Sequence, residues 1–211
     1  MKAIRTFFWH DRVKSRRKLV WDRYVHRKPW NDFVYGNSGD IFTRNVLAHF
    51  YPNATLKNTL NGPRILCVGS IGHKLAAGDV LSGIGCKSAN LPPFNGELIH
   101  IHALRGPISY DAFKAARYDV SQVRFLADPG LLIGLMVPSR LPTKGRVIFI
   151  PHYRERKQIF GKVPKTINLV DIDNPPLRLA LEIQRAECVY SPRHYFLACS
   201  RTTVCIRAPR H

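Results

Sequence analysis

An arginine at the tip of a strand, flanked by glycine turns, is suited to binding phosphate or carboxylate. Arg105 has such a setting: Leu98–Ala103 alternates Ile99 and Ile101 with His100 and His102, then runs into Leu104-Arg105-Gly106-Pro107. A planar guanidinium grips either anion through two N–H groups at once. A surface pairing with Asp111 or Asp128 is the alternative use of this side chain. A second turn, Tyr35-Gly36-Asn37-Ser38-Gly39-Asp40, is glycine-rich because the backbone must turn sharply or let a ligand approach. There Asn37 and Gly39 would meet the ligand, and Asp40 would deprotonate or orient a hydroxyl, unless it only caps the next helix. Gly83 and Gly85 follow Asp79-Val80-Leu81 and allow close backbone approach to a ligand, with tight packing as the rival. His152, in Ile150-Pro151-His152-Tyr153, could bind phosphate or deliver a proton, or simply bond to backbone. His100 and His102 share a strand face, but no third ligand is spaced to help. Packing is expected of them, and no metal.

These residues need elements to hold them. Short apolar runs alternate with stretches of helical length, the pattern of a parallel, doubly wound sheet. Strands are expected at Phe33–Tyr35, Ile65–Val68, Asp79–Leu81, Leu98–Ala103 and Val123–Leu126, with helices at Ile41–Phe50 and from Ser109, itself a plausible cap. A second α/β series follows: strands at Val147–Ile150, Ile167–Asp171 and from Cys188, and a helix over Pro176–Ala186. Residues 1–30 read as a basic, aromatic N-terminal extension with a helix through 12–27. Residues 31–138 read as a complete Rossmann-like domain, 139–145 as a linker, and 146–211 as a partial second domain. Ligands of such sheets lie beyond the carboxyl ends of the strands, where helix N-termini present free N–H groups.

The charge is lopsided, with 33 Lys+Arg against 14 Asp+Glu for a net +19, which points towards a polyanionic partner. The excess sits at the ends, in Lys14-Ser15-Arg16-Arg17-Lys18 and in a tail from Arg193 that has no acid. No nucleic-acid motif accompanies it. Attraction of the basic, Trp- and Phe-bearing N-terminus to an anionic membrane surface is one expectation, and an ordinary disordered basic extension or an over-long start assignment is the other. The 5 cysteines include no C-x-x-C pair and are expected to be reduced, and no apolar run reaches spanning length. A cytoplasmic location is expected.

Five stretches, in order, resemble the polysaccharide pyruvyl transferase family, most closely its exopolysaccharide (succinoglycan-type) branch. Asn37-Ser38-Gly39-Asp40 resembles the family's N-x-G-D motif. Gly69-Ser70-Ile71 with Asp79–Gly85 is similar to its GSI and DVVWGSG stretch, and Leu104–Ser109 to VRGPLT. Leu126–Leu132 and Ile150–Tyr153 are similar to GDPALL and IPHY. The resemblance implies two Rossmann-like domains in a GT-B-like arrangement. It implies transfer of the enolpyruvyl group of phosphoenolpyruvate onto two hydroxyls of a sugar, with no cofactor. The acceptor would be a lipid-linked oligosaccharide at the membrane's inner face. Arg105 would bind the donor, with Asn37, Gly39, Gly83 and Gly85 around it, and Asp40 and His152 would move protons. A nucleotide-sugar glycosyltransferase of the same architecture and a basic nucleic-acid-binding protein are the competing readings.

The resemblance breaks at Ser191-Pro192-Arg193-His194-Tyr195, where the family would carry Ser-x-Leu-His-Gly. The family histidine is then missing, and a truncated chain with impaired transfer is expected. Codons exist for Ser191–Cys199 that, read one base later, encode Leu-His-Gly-Ile-Ile-Phe-Ser-His-Ala. Sequencing the coding DNA across residues 187–191 should reveal that second-frame motif. Its absence would remove the reading that a frameshift near residues 187–191 produced the divergent tail.

Overall fold

Ala3–Thr6 forms a strand (β1) with Ile4 and Thr6 turned inward and Ala3 and Arg5 exposed. The computed structural model describes residues 3–10, 14–26, 32–87, 91–92, 95–96, 98–159, 161–191 and 203–206. Two compact units emerge, one of Met1–Phe8 with Phe42–Leu132, the other of Trp9–Ile41 with Ile133–His211. Both are α/β with parallel sheets and Rossmann-like in architecture. The units differ from the linear domains expected above because each draws on two separate stretches of chain.

In the first unit β1 is joined by β2 (Thr55–Asn58), β3 (Ile65–Leu66), β4 (Val80–Ile84), β5 (His100–Leu104) and β6 (Phe125–Leu126). The order is β2-β1-β3-β4-β5-β6, with every pair parallel. Residues 3–8 are therefore core, not extension; Ile4, Phe7 and Phe8 are buried. Thr6 is the pivot of this edge. It faces both Asn58 and Ile65, so six residues carry the chain from β2 past β1 into β3. Its carbonyl accepts from Thr59 N at 2.9 Å and its hydroxyl donates to the Ile65 carbonyl at 2.8 Å.

A fully buried ion pair fixes the opposite ends of β3 and β4. Asp79 Oδ1 accepts from Arg64 Nε at 3.1 Å and from Arg64 N at 3.0 Å. Asp79 Oδ2 accepts from Arg64 Nη2 at 2.6 Å and from Ala76 N at 2.8 Å. The Phe7 ring lies 5.9 Å from the guanidinium carbon. Helix α3 (Pro107–Ala115) starts with proline in its first turn after Gly106, and Ser109 is buried inside it, where a cap had been expected. Proline takes the first helical position readily because its missing N–H would have no partner there.

The second unit holds α1 (Arg16–Val20), which continues as a π-helical turn over Trp21–Val25, and the start of α2 (Ser38–Phe50). Its sheet contains β7 (Thr143–Phe149), β8 (Asn168–Leu169), β9 (Ala186–Ser191) and β10 (Thr203–Ile206), in the order β10-β9-β7-β8 and all parallel. Helices α4 (Arg156–Ile159) and α5 (Pro176–Gln184) lie between its strands in sequence. α5 buries Leu179, Ala180 and Ile183, one stripe of a 3.6-residue period. β7 begins at Thr143, so the last three residues of the expected linker are already strand. Phe33–Tyr35 is not a strand, because the Val34 and Tyr35 N–H groups are bonded to the Asp173 carboxylate instead. Within the tail, β10 pairs with β9 from Thr203–Cys188 to Ile206–Ser191. Trp30, Cys199 and the divergent segment 192–199 lie outside the described residues.

Removing one partner of a buried ion pair leaves the other charged and unsolvated. Asp79→Asn should cost about 3–5 kcal/mol in urea unfolding, whereas replacing Arg64 and Asp79 together by apolar residues should cost less.

Candidate anion-binding site

The chain leaving β1 is apolar, with Phe7 and Phe8 buried, and Asn58 closes on the Phe8 backbone in both directions at 3.1 Å. Polar groups collect instead at the carboxyl ends of β4, β5 and β6. Arg105 follows β5, its N–H donating to the Ile84 carbonyl at 3.0 Å. Its side chain is 35% exposed and is clamped by Asp128, which follows β6. Nε donates to Asp128 Oδ2 at 2.7 Å, and Nη2 reaches the same oxygen at 2.5 Å. Asp128 Oδ1 accepts from Gly130 N at 2.8 Å, so the carboxylate is fixed too. Nη1 takes no part in this pair. The guanidinium is thus held by the Asp128 carboxylate, the surface pairing that was the alternative use of this arginine.

Two of the predicted glycines shape this seat without themselves opening towards a ligand. A Cβ on Gly85 would sit 3.1 Å from Arg105 Cδ and 3.3 Å from Ser109 Oγ. At Gly83, with φ +117°, it would fall 2.1 Å from Pro129 Cγ. Gly85 N donates to the Gly69 carbonyl at 2.9 Å, and Gly72 N to the Gly85 carbonyl at 3.1 Å, tying the turns after β3 and β4 together. The N-terminus of α3 begins two residues after Arg105, adding N–H groups and a partial positive charge. Nearby, burial, helped by Lys87 and Lys74, holds the His73 imidazole below its ordinary pKa. Burial pushes the Cys86 thiol up, offset in part by its hydrogen bond with Ser109. Cys67, just past β3, is pushed up to about 12 by burial and is chemically silent.

In the second unit, the glycine turn expected to cradle a ligand is occupied by the protein itself. Asp173 Oδ2 accepts from Val34 N at 2.8 Å, and Oδ1 accepts from Tyr35 N at 2.8 Å and Gly36 N at 3.1 Å. Three successive N–H groups around one carboxylate form an anion nest, here filled internally. Arg156, its side chain 3% exposed, lies 2.5 Å from Asp171 and 3.6 Å from Asp173. It also donates to the Asp32 carbonyl at 3.0 Å and lies 5.3 Å from the Phe33 ring centre. Asn37 acts as the cap of α2, its Oδ1 accepting from Gly39 N at 3.2 Å, and Asp40 lies in the first turn. His152 follows β7, donates its backbone N–H to Glu155 Oε2 at 3.2 Å, and packs on Tyr153 with ring centres 4.3 Å apart.

Of the predicted residues, Gly85 and Arg105 touch, and Gly83 abuts Pro129 beside the Asp128 clamp. Asn37, Gly39, Asp40 and His152 belong to the other unit. His100 and His102 stack at 6.4 Å, and among the described residues no three His, Cys, Asp or Glu side chains gather to hold a metal. Sequence reasoning missed the Asp173 nest: Val34 and Asp173 are 139 residues apart, and no local pattern joins them. It also missed the contact of Ser109 with the Arg105 seat.

Gly83→Ala combines a positive φ with a collision against Pro129 and should lose more than about 1 kcal/mol of stability by urea denaturation. Gly134→Ala, with open space around it, should be close to neutral in the same measurement. No protein-family model, curated protein or solved structure matches this chain.

Proposed function

We propose that the strand ends around Arg105 bind the phosphate or carboxylate of phosphoenolpyruvate. On this reading the chain serves transfer of the enolpyruvyl group to a saccharide, as in the polysaccharide pyruvyl transferases that its motifs resemble. The observation that carries the reading is the Arg105 guanidinium, aimed by Asp128, seated on Gly85 and still one-third exposed. A dianionic donor needs a fixed cation with backbone donors beside it, and the α3 N-terminus adds these.

The chemistry asks for such a group. One acceptor hydroxyl adds to C2 of the donor while C3 takes a proton to become a methyl group. Loss of phosphate then leaves an oxocarbenium-like centre that the second hydroxyl captures, closing the ketal. Charge grows on the departing phosphate, where Arg105 and the helix N-terminus stabilise it. The acceptor on this reading is a lipid-linked oligosaccharide. The divergent sequence after Ser191 lacks the family histidine, so slow turnover is part of the proposal.

Thermal denaturation with added ligands tests the donor assignment. Phosphoenolpyruvate at 100 times its Kd should add about 2.7 kcal/mol of stability. Arg105→Ala should abolish that protection, and Arg105→Lys should keep only part of it, because an ammonium cannot grip two oxygens in one plane. Protection by a nucleoside-diphosphate sugar and not by phosphoenolpyruvate would reassign the site to a glycosyltransferase. Equal protection of wild type and Arg105→Ala would remove Arg105 from the donor site.

A further inference from the structure

The helical segment Arg16–Val25 carries an exposed apolar face that the transferase reading does not use. Val20, Trp21, Tyr24 and Val25 are 57%, 58%, 70% and 55% exposed, while Leu19 and Asp22 are buried at 2% and 4%. Val20 ends the α-helical part and Trp21, Tyr24 and Val25 lie on the π-helical turn that continues it, and at about 80–100° per residue the four exposed side chains fall within about 140° of the circumference. Arg16 and Lys18 flank that arc, Arg17 lies within it one turn earlier, and all three are exposed. The one acid in the segment, Asp22, points inward and accepts from Lys14 Nζ at 2.9 Å, so it does not offset the surface charge. Ser15 caps the helix by accepting from Lys18 N at 3.3 Å, and the Trp21 indole N–H donates to His26 Nε2 at 2.8 Å. The segment is therefore held in place while its apolar face stays in water.

We infer that this face docks the protein on an anionic membrane surface, with Trp21, Tyr24, Val20 and Val25 in the headgroup boundary and Arg16, Arg17 and Lys18 on the lipid charges. Trp and Tyr bring an apolar body and a polar tip, the combination favoured at that depth, and flanking cations add attraction to anionic lipid. Two other occupants fit less well. A nucleic acid would match the arginines and aromatics but gains nothing from Val20 and Val25. A second copy apposing the same patch would bring the Arg16–Lys18 clusters of both molecules together, which like charge opposes.

The full-length protein and lipid vesicles test this without donor or acceptor, so the outcome is independent of the transferase reading. Point substitutions are required because Ala3–Thr6 is a strand of the first sheet and Phe7 and Phe8 are core, so deleting the N-terminus would unfold the first unit. Vesicles of phosphatidylcholine with phosphatidylglycerol should bind the protein at low salt, and pure phosphatidylcholine should bind it far less. Trp21→Ser with Tyr24→Ser should weaken binding at least about tenfold, since both interfacial anchors are lost. Each of Arg16→Gln, Arg17→Gln and Lys18→Gln should weaken it about fivefold. Unchanged circular-dichroism melting curves would show that the variants still fold. The inference is overturned if these variants bind vesicles like wild type. It is also overturned if the segment binds single-stranded RNA or DNA and not vesicles, or if the substitutions only dissolve a dimer.

Discussion

The Arg64–Asp79 pair sets the geometry of the first unit. Four donors converge on one buried carboxylate: the Arg64 side chain twice, its own backbone N–H, and the Ala76 N–H. The Asp79 carbonyl in turn accepts from His100 N at 2.9 Å, and Val80 N donates to the Arg64 carbonyl at 2.8 Å. The starts of β3, β4 and β5 are thus pinned to one residue. A parallel sheet whose strands start in fixed register also ends in fixed register, and the turn glycines and Arg105 sit at those far ends. A buried pair of this kind adds little net stability over an apolar substitute, so its contribution here is positional.

Asp173 does the comparable work in the second unit. It gathers the Val34, Tyr35 and Gly36 N–H groups that a loop outside regular structure would otherwise leave unpaired, and Arg156 balances its charge. A glycine turn rich in free N–H groups looks the same in sequence whether its anion comes from a substrate or from the chain. The two cases separate only when the distant carboxylate is located. The donor site is therefore argued from Arg105, whose carboxylate partner leaves the guanidinium partly open, and not from the turn at Asn37.

The alternation of apolar runs and helical stretches made the parallel α/β class legible, along with β3 to β9 and the helices α2, α3 and α5. β1 escaped because Arg5 and the basic residues around it masked a short strand with two inward side chains, Ile4 and Thr6. Phe33–Tyr35 has strand-like composition, yet its backbone bonds to Asp173, a long-range competitor that overrides β propensity. Ser109 looked like a cap, but Pro107 fixes the helix start two residues earlier and leaves the serine to pack inside. The Arg105–Asp128 pairing is the surface pairing named above as the alternative use of that arginine, and the two groups stand just past the ends of β5 and β6.

Neither unit is an unbroken length of chain. The backbone passes from one to the other between Phe8 and Trp9, between Ile41 and Phe42, and between Leu132 and Ile133. Cutting near residue 140 would strip the second unit of Val34, Tyr35 and Gly36, whose N–H groups hold the Asp173 carboxylate. During synthesis the first strand leaves the ribosome some fifty residues ahead of both its neighbours, β2 at Thr55 and β3 at Ile65, and has no partner until they follow. Each unit is therefore complete only once both of its separate stretches of polypeptide have been made.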